Sequence, residues 1–436
     1  DWPGNMSLKS PDIMRLRTPG KMAAGAGDKP ECPVKYTFDT GCPMPDGMLN
    51  FFLSASGDQD FLLSFAIASD EWKDPDKLRS AVAAVIDAHP ILGCRCEIRD
   101  GIPWAVFGNP VKTEFSDGDL FDEVSEPSDP IDIRGEAMSR FRICRDGDGY
   151  GVLIDVSHII FDGFSLNPLV KSLKDAYDGK ALKRDEGVLK ASALSAAVRG
   201  TPEFENSRRM MLGEVLGKDF APVLKVIEPG ERDHIRRANS VLKELSAGRR
   251  TVEERAKSAG VSAGMLLSAA FGIARARHSG VSVSLFAQVQ NGRGDPDLDG
   301  TVCNYANPVP FLTDLSADAE ISEYLRKCAD REYRFMSDDQ YPMWKLIQEA
   351  GLYTDAMFQY FPYGEMAGSV PGCVVTGCVK TAFDVISNFE VLPDGDRLII
   401  AVMPGRECDR GDLAAFLERF DGVVTGICSA DRLSEL

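Results

Sequence analysis

The segment 157–163, with the sequence SHIIFDG, joins a predicted strand to a predicted helix and constrains the fold more than any other stretch. Residues Tyr150 to Val156 alternate apolar with small or polar side chains, which is typical of a half-buried strand. From Leu166 to Tyr177, apolar residues recur at helical spacing, with Ser165 or Asn167 available as the N-cap. The sequence therefore predicts a strand, a tight loop and a helix.

His158 leaves the rigid end of this strand and is one of only four histidines in 436 residues. Its reference pKa of about 6.5 leaves much of the imidazole neutral at physiological pH, and a neutral imidazole can act as a general base worth roughly 100- to 10,000-fold in rate. Gly163 lies near the helix start, where backbone N–H groups favour developing negative charge. A base beside an oxyanion donor predicts acyl transfer from a thioester, with His158 and Gly163 as catalytic residues.

Asp162 follows His158 by four residues, and its role is open to more than one interpretation. Its carboxylate could orient the imidazole, but the tight loop allows it to point away and hold the loop through an arginine, which we prefer. A plainer alternative makes His158 an ordinary strand-end histidine and Asp162 the N-cap of the helix. Further segments are needed to decide between these interpretations.

Four such segments occur in order along the chain: 78–92, ending in DAHPIL; 290–293, QNGR; 300–311, containing GTVCN and PVPF; and 339–343, DQYPM. Together with the HxxxDG motif they resemble the HxxxD acyltransferase superfamily, which includes chloramphenicol acetyltransferase, plant acyltransferases and the condensation domains of nonribosomal peptide synthetases. The resemblance is greatest to the condensation domains, here as a stand-alone chain, and extends from about Tyr36 onward.

The resemblance implies an α/β fold of two chloramphenicol acetyltransferase-like α/β sandwich lobes, arranged as a V-shaped pseudo-dimer with a central tunnel. It implies that His158 faces the tunnel and that the Gly163 backbone helps to bind the oxyanion. It also implies that Asp162 pairs with Arg293 in a structural salt bridge.

Two more residues near the motifs are predicted to line the tunnel, Ser157 and Asn304, with a structural hydrogen-bonding role as the alternative for Asn304. Ser157 departs from the resemblance, because condensation domains usually carry two adjacent histidines at positions 157 and 158 of this chain. This departure weakens the case for peptide-bond formation in particular.

The chain length suggests two domains. We expect an irregular arm over 1–35, an N-terminal lobe over 36–185 that carries the HxxxDG loop, and a C-terminal lobe over 186–436. Asp100-Gly101 is a predicted hairpin turn, and the acidic, proline-rich stretch 108–132 is a predicted loop.

The composition limits the kinds of partner that the chain can bind. Its 49 basic and 67 acidic residues give a net charge of −18, which argues against binding to nucleic acid or to anionic membrane surfaces. A coenzyme A or phosphopantetheine thioester would be a substrate, with no cofactor bound permanently and no metal. Because such donors are acidic, a local basic patch would be needed.

Eleven cysteines without a C-x-x-C pair indicate reduced thiols in the cytoplasm, and no apolar run is long enough to span a membrane.

The leading hypothesis is a stand-alone acyltransferase that moves an acyl or aminoacyl group from coenzyme A or an acyl carrier protein to a small-molecule hydroxyl or amine. Its context would be secondary metabolism, such as nonribosomal peptide synthesis, or lipid modification. The alternative is a catalytically silent condensation-like domain that binds a carrier protein or acts as a scaffold, as Ser157 suggests. Of the other histidines, His89 precedes a proline and is predicted to be structural.

Overall fold

The computed structural model of the chain describes residues 6–7, 27–28, 35–54, 61–126, 128–218, 220, 223–225, 240–337, 341–352, 354–362, 370–379, 386–405 and 407–436. The predicted arm over 1–35 lies almost entirely outside the described residues, as do residues 339 and 340 of the DQYPM segment.

The strands are β1 Met6–Ser7, β2 Gly27–Asp28, β3 Cys42–Pro43, β4 Leu62–Ala68, β5 Arg95–Arg99, β6 Ile102–Val106, β7 Lys112–Asp119, β8 Ser139–Asp146, β9 Gly149–Ser157, β10 Val241–Glu244, β11 Val283–Gln290, β12 Asn307–Asp314, β13 Ala356–Tyr360, β14 Val374–Val379, β15 Ser387–Asp394 and β16 Arg397–Met403. The helices are α1 Asp46–Ser54, α2 Pro75–Ala88, α3 Leu120–Ser125, α4 Leu166–Tyr177, α5 Gly187–Val198, α6 Pro202–Val215, α7 Arg249–Ala259, α8 Ala263–Ser279, α9 Ile321–Ser337, α10 Met343–Ala350 and α11 Arg410–Ser429. Short 3-10 helices cover Pro90–Gly93, Gly163–Ser165, Pro296–Leu298 and Leu433–Glu435.

Contacts group the chain into two compact units. The first comprises residues 1–201, 291–307 and 367–381, and the second comprises residues 202–290, 308–366 and 382–436. The lobe ranges 36–185 and 186–436 remain predictions.

The first unit contains a five-stranded sheet in the order β14-β4-β9-β8-β7 and a three-stranded sheet in the order β3-β6-β5. Strand β9 lies between β4 and β8 and pairs antiparallel with both. Side chains on both of its faces are buried, with Tyr150 alone partly exposed. The predicted half-buried strand is therefore a central strand, and its last residue is Ser157.

Helix α4 confirms the helix predicted from Leu166 to Tyr177, and its apolar stripe packs against helix α2. Helix α2 begins after Asp74, whose Oδ1 accepts the backbone N–H groups of Asp76 and Lys77 at 3.0 Å each. The hairpin is also confirmed, because Asp100 and Gly101 take φ of 51° and 77° between the paired strands β5 and β6.

The loop predicted over 108–132 is wrong in part, because this stretch contains strand β7 and helix α3. Strand β7 pairs parallel with β8 at the edge of the sheet, and most of its side chains are exposed. An exposed edge strand needs little apolar content, so its polar sequence did not indicate a strand.

The second unit contains a six-stranded sheet in the order β10-β16-β15-β13-β11-β12. Its core is rich in phenylalanine; Phe271 of α8 stacks on Phe358 of β13 with ring centroids 4.5 Å apart. A buried ion pair joins Arg275 to Asp355, with 2.5 Å between Nη2 and Oδ1. Each unit combines helices with a β-sheet, which confirms the predicted α/β class.

Among the described helices, none is by itself long and apolar enough to cross a bilayer. Helices α7 and α8 pass that test only as a pair, and their axes bend by 95° at the break between them.

Helix α9 carries a buried carboxyl group, Glu332, whose side chain is paired with the amide of Gln288. Burial raises the pKa of Glu332 from an ordinary 4.5 to about 7. In the unfolded chain this carboxyl group loses its proton at lower pH than in the folded protein. The free energy of unfolding therefore falls as pH rises from about 4.5 to 7, by on the order of 3 kcal/mol in total. We expect Glu332→Gln to stabilise the protein at pH 8 and to have little effect at pH 4.5.

Urea unfolding at the two pH values measures this effect. The matched control is Glu323→Gln on the same helix, since Glu323 is about half exposed and pairs with Lys327 on the surface. A stability difference between Glu332→Gln and wild type that does not change with pH would show that Glu332 is not a buried neutral acid.

Candidate active site

His158 follows the end of β9, and its imidazole is held in one orientation. The backbone N–H of His158 donates to the carbonyl of Phe61 at 2.6 Å. On the ring, Nδ1 lies 2.6 Å from the carbonyl oxygen of Phe161. Because a carbonyl can only accept, the proton of the neutral ring lies on Nδ1 and the lone pair on Nε2. Within the described residues, Nε2 has no hydrogen-bond partner.

The ring is partly buried and stacks on Phe51 of helix α1, with centroids 4.1 Å apart and planes at 28°. Burial lowers the pKa of His158 below its ordinary 6.5, while the Phe161 carbonyl and the charge of Asp162 oppose this shift. The imidazole is therefore neutral at physiological pH, which is the form that a general base requires.

The Asp162 carboxylate is buried and turned to Arg293. The two side chains form a bidentate ion pair, with 2.8 Å from Nη1 to Oδ2 and 2.9 Å from Nη2 to Oδ1. Oδ1 also accepts the N–H and hydroxyl of Ser165 at 2.9 and 2.8 Å, and Oδ2 accepts the N–H of Tyr305 at 3.0 Å. No hydrogen bond joins Asp162 to the imidazole within the described residues, so the carboxylate orients the loop and not the ring.

The N-cap interpretation of Asp162 is also correct in part. Its Oδ1 caps the 3-10 turn Gly163–Ser165, which leads into α4, and the Ser165 side chain makes no cap hydrogen bond to that helix. One carboxylate thus starts the helix and pairs with an arginine at the same time.

Arg293 lies between two aromatic rings, 4.8 Å from the centroid of Tyr305 and 5.5 Å from that of Phe164. The preceding Gly292 has φ of 63°, and a Cβ there would lie 1.6 Å from the carbonyl oxygen of Tyr305. Only glycine fits this close approach of two backbones, so the QNGR segment needs Gly292 to place its arginine.

Gly163 is the first residue of the 3-10 turn and is partly exposed. An N–H at the first position of a helical turn has no acceptor inside that turn, so it is free to bind an anion. Its predicted catalytic role stays a prediction.

Ser157 and Asn304 are both fully buried, with an exposed fraction of zero. Their predicted place along a tunnel stays a prediction. Asn304 takes the alternative, structural position: its Nδ2 donates to the His158 carbonyl at 2.5 Å, and its Oδ1 accepts the N–H of Ala306 at 3.0 Å. The Ser157 hydroxyl accepts the N–H of Ile159 at 3.3 Å.

Sequence reasoning missed two residues that complete this arrangement. Phe51 contacts the imidazole from a helix distant in the sequence, and no local pattern signals such a contact. Ser165 was considered only as an N-cap, whereas its hydroxyl lies 2.8 Å from both Asp162 Oδ1 and the Cys303 carbonyl. Over the described part of the chain, no group of three His, Cys, Asp or Glu residues is placed to hold a metal ion.

The family model described as "Condensation domain" matches residues 42–363, well over half of the chain, and the chain belongs to that family. Bacitracin synthase 2 of Bacillus licheniformis is 23% identical over 296 residues, covering 64% of this chain and 11% of the synthase. Nonribosomal peptide synthetase 8 of Aspergillus fumigatus is 30% identical over 148 residues, covering 31% of this chain and 2% of the synthetase. The chain therefore spans about a tenth or less of the length of these relatives.

Solved structures show the same fold. The X-domain in its complex with OxyB from teicoplanin biosynthesis superposes with a TM-score of 0.76 at 19% identity, covering 94% of this chain and 99% of that chain. The condensation domain of the monacolin K polyketide synthase MokA gives a TM-score of 0.71 at 15% identity, covering 89% and 98%. These likenesses confirm the condensation-domain fold predicted from the sequence.

The buried ion pair predicts a large stability cost for removing one partner. Asp162→Asn should lower the free energy of unfolding by about 3–5 kcal/mol, because it leaves the Arg293 guanidinium buried without its counter-charge. Urea unfolding followed by circular dichroism measures this. The control is Asp148→Asn, which removes the exposed partner of Lys73 and should change stability little. Equal effects of the two variants would contradict a structural role for the Asp162–Arg293 pair.

Proposed function

We propose that this chain transfers an acyl or aminoacyl group from a thioester to a hydroxyl or amine, with His158 as the general base. The observation that carries the proposal is the hydrogen bond from His158 Nδ1 to the Phe161 carbonyl, which leaves the Nε2 lone pair free. The lowered pKa of His158 supports it, because the ring stays neutral at physiological pH.

In the proposed reaction, the acceptor O–H or N–H gives its proton to His158 Nε2 while its oxygen or nitrogen attacks the thioester carbonyl. The Gly163 N–H donates to the oxyanion that forms. Collapse of the tetrahedral intermediate breaks the carbon–sulfur bond, and the imidazolium returns its proton to the leaving thiolate. The Phe161 carbonyl holds the ring in one tautomer throughout, and the Asp162–Arg293 pair fixes the loop between base and oxyanion donor.

The proposed donor is a phosphopantetheine thioester, carried by coenzyme A or by an acyl carrier protein, and the acceptor is a small molecule. Membership of the condensation-domain family supports this proposal, and one relative, nonribosomal peptide synthetase 8, has peptide synthesis in its name. A cytoplasmic location is part of the proposal and agrees with the described cysteines, all of which are free thiols.

A second candidate function is a silent module that binds a carrier protein or another partner. Two observations favour it: Ser157 takes the place of the first of two histidines, and the structurally similar X-domain is described in complex with a second protein, OxyB. Under this alternative, the chain binds its partner while the thiol of a bound thioester is never released.

The first test replaces the base. His158→Ala should reduce transfer from an acyl-pantetheine thioester at least 100-fold, because general-base catalysis contributes roughly 100- to 10,000-fold. Thiol release measured with a thiol-reactive dye reports turnover, and circular dichroism confirms the fold.

His278→Ala is the matched control, since it removes an imidazole that contacts Asp412 in the second unit. Acylation by His158→Ala at the wild-type rate would refute the mechanism. A wild-type protein that binds carrier protein but releases no thiol with any acyl group would favour the silent module.

The second test follows the pH dependence of the same reaction. Because the pKa of His158 is lowered, the rate should stay level as pH falls through 6.5 and should decline only at lower pH, where the ring becomes protonated. Phe51→Ala exposes the ring to water and should move the decline up toward 6.5. The same profile in wild type and Phe51→Ala would contradict burial as the cause of the shift.

A further inference from the structure

His89, predicted to be merely structural, lies between a carboxylate and a hydroxyl in the first unit. Its Nδ1 is 2.9 Å from Asp185 Oδ2, and its Nε2 is 2.9 Å from Ser172 Oγ. The order serine, histidine, aspartate along these two hydrogen bonds is that of a hydrolase triad, which is recognised by geometry and not by sequence position.

The direction of both hydrogen bonds follows from the acceptor at one end. The Asp185 carboxylate only accepts, so in the neutral ring the proton lies on Nδ1 and Nε2 carries the lone pair. The Ser172 hydroxyl must then donate to Nε2. The serine proton thus points at a base, which is the arrangement that activates a hydroxyl as a nucleophile.

Asp185 is itself held in place by the backbone. Its Oδ2 accepts the N–H of Val302 at 2.7 Å, and its Oδ1 accepts the N–H of Gly187 at 2.9 Å. The side chains of His89 and Asp185 are only 5% and 6% exposed. This pair is therefore rigid and shielded, so the orientation of the imidazole does not depend on solvent.

The serine, in contrast, is reachable. Ser172 lies in the middle of α4 and is partly exposed. All three residues line one cavity of about 1960 Å³, whose wall also includes Asn167, Lys171 and Arg184. A cavity of that size admits a small organic ester together with water.

We propose that Ser172, His89 and Asp185 form a hydrolytic site for carboxylic esters or thioesters, separate from acyl transfer at His158. Ser172 Oγ attacks the carbonyl carbon as His89 Nε2 takes its proton, and the alcohol or thiol leaves with that proton. Water then attacks the acyl-serine, again giving a proton to His89, which returns it to Ser172 Oγ as the carboxylic acid leaves. Asp185 acts as the positioning residue.

The test treats the full chain with a fluorophosphonate, which phosphonylates activated serines, and locates the label by mass spectrometry of peptides. We expect the label on Ser172. It should vanish in Ser172→Ala, and His89→Gln should slow it at least tenfold. Ser80→Ala should not change it, because this variant removes only an exposed hydroxyl from helix α2. The variants that lose or slow the labelling should also lose or slow the release of nitrophenol from p-nitrophenyl acetate.

The proposal would be overturned by the absence of label on Ser172 of the folded wild-type protein, or by equal labelling rates in wild type and His89→Gln. Since His89→Gln could disturb folding, the wild-type protein is also labelled in urea. An activated Ser172 loses its label on unfolding, whereas an ordinary exposed serine labels no faster in the folded chain than in the unfolded one. Equal rates in the two states would also overturn the proposal.

Discussion

The buried ion pair between Asp162 and Arg293 is the constraint on which the geometry of the site depends. Both side chains are almost fully excluded from solvent, so each charge requires the other and every remaining polar atom requires a partner. The pair joins two segments far apart in the sequence, the loop after β9 and the segment around Arg293. Ser165 and the backbone of Tyr305 complete the coordination of the carboxylate.

The same two segments also determine where His158 lies. Asn304, next to Tyr305, donates to the His158 carbonyl, so the segment that pairs with Asp162 also fixes the end of the strand. Phe51 stacks on the ring and the Phe161 carbonyl sets its tautomer. Charge therefore positions the loop, while stacking and one carbonyl set the chemistry of the ring. This separation explains why Asp162 lies near the base without contacting it.

Sequence patterns correctly predicted the elements that depend mainly on residues close together in the chain. The helix from Leu166 to Tyr177 and the hairpin at Asp100-Gly101 follow from helical periodicity and turn preference, and both are present. The edge strand β7 was missed, because an exposed strand has no apolar signature. Strand β9 was predicted to be half buried but is buried on both faces. The alternation of apolar and polar residues in one strand does not show which elements cover its second face.

Family resemblance supplied the part of the site that periodicity could not, including the partner of Asp162 on a segment more than a hundred residues away. It did not supply Phe51, whose contact with His158 depends on how helix α1 packs in this chain. Its placement of Ser157 and Asn304 along a tunnel stays a prediction, and both side chains are buried in the structure.

The central claim is that His158 is a neutral imidazole with its proton on Nδ1 and a free Nε2. Nitrogen-15 NMR of the histidine-labelled protein tests it directly, with the His158 signals assigned by their loss in the alanine variant. The account predicts a protonated Nδ1 and an unprotonated Nε2 at pH 7, with a titration midpoint below 6.5. A proton on Nε2, or a midpoint above 6.5, would contradict it.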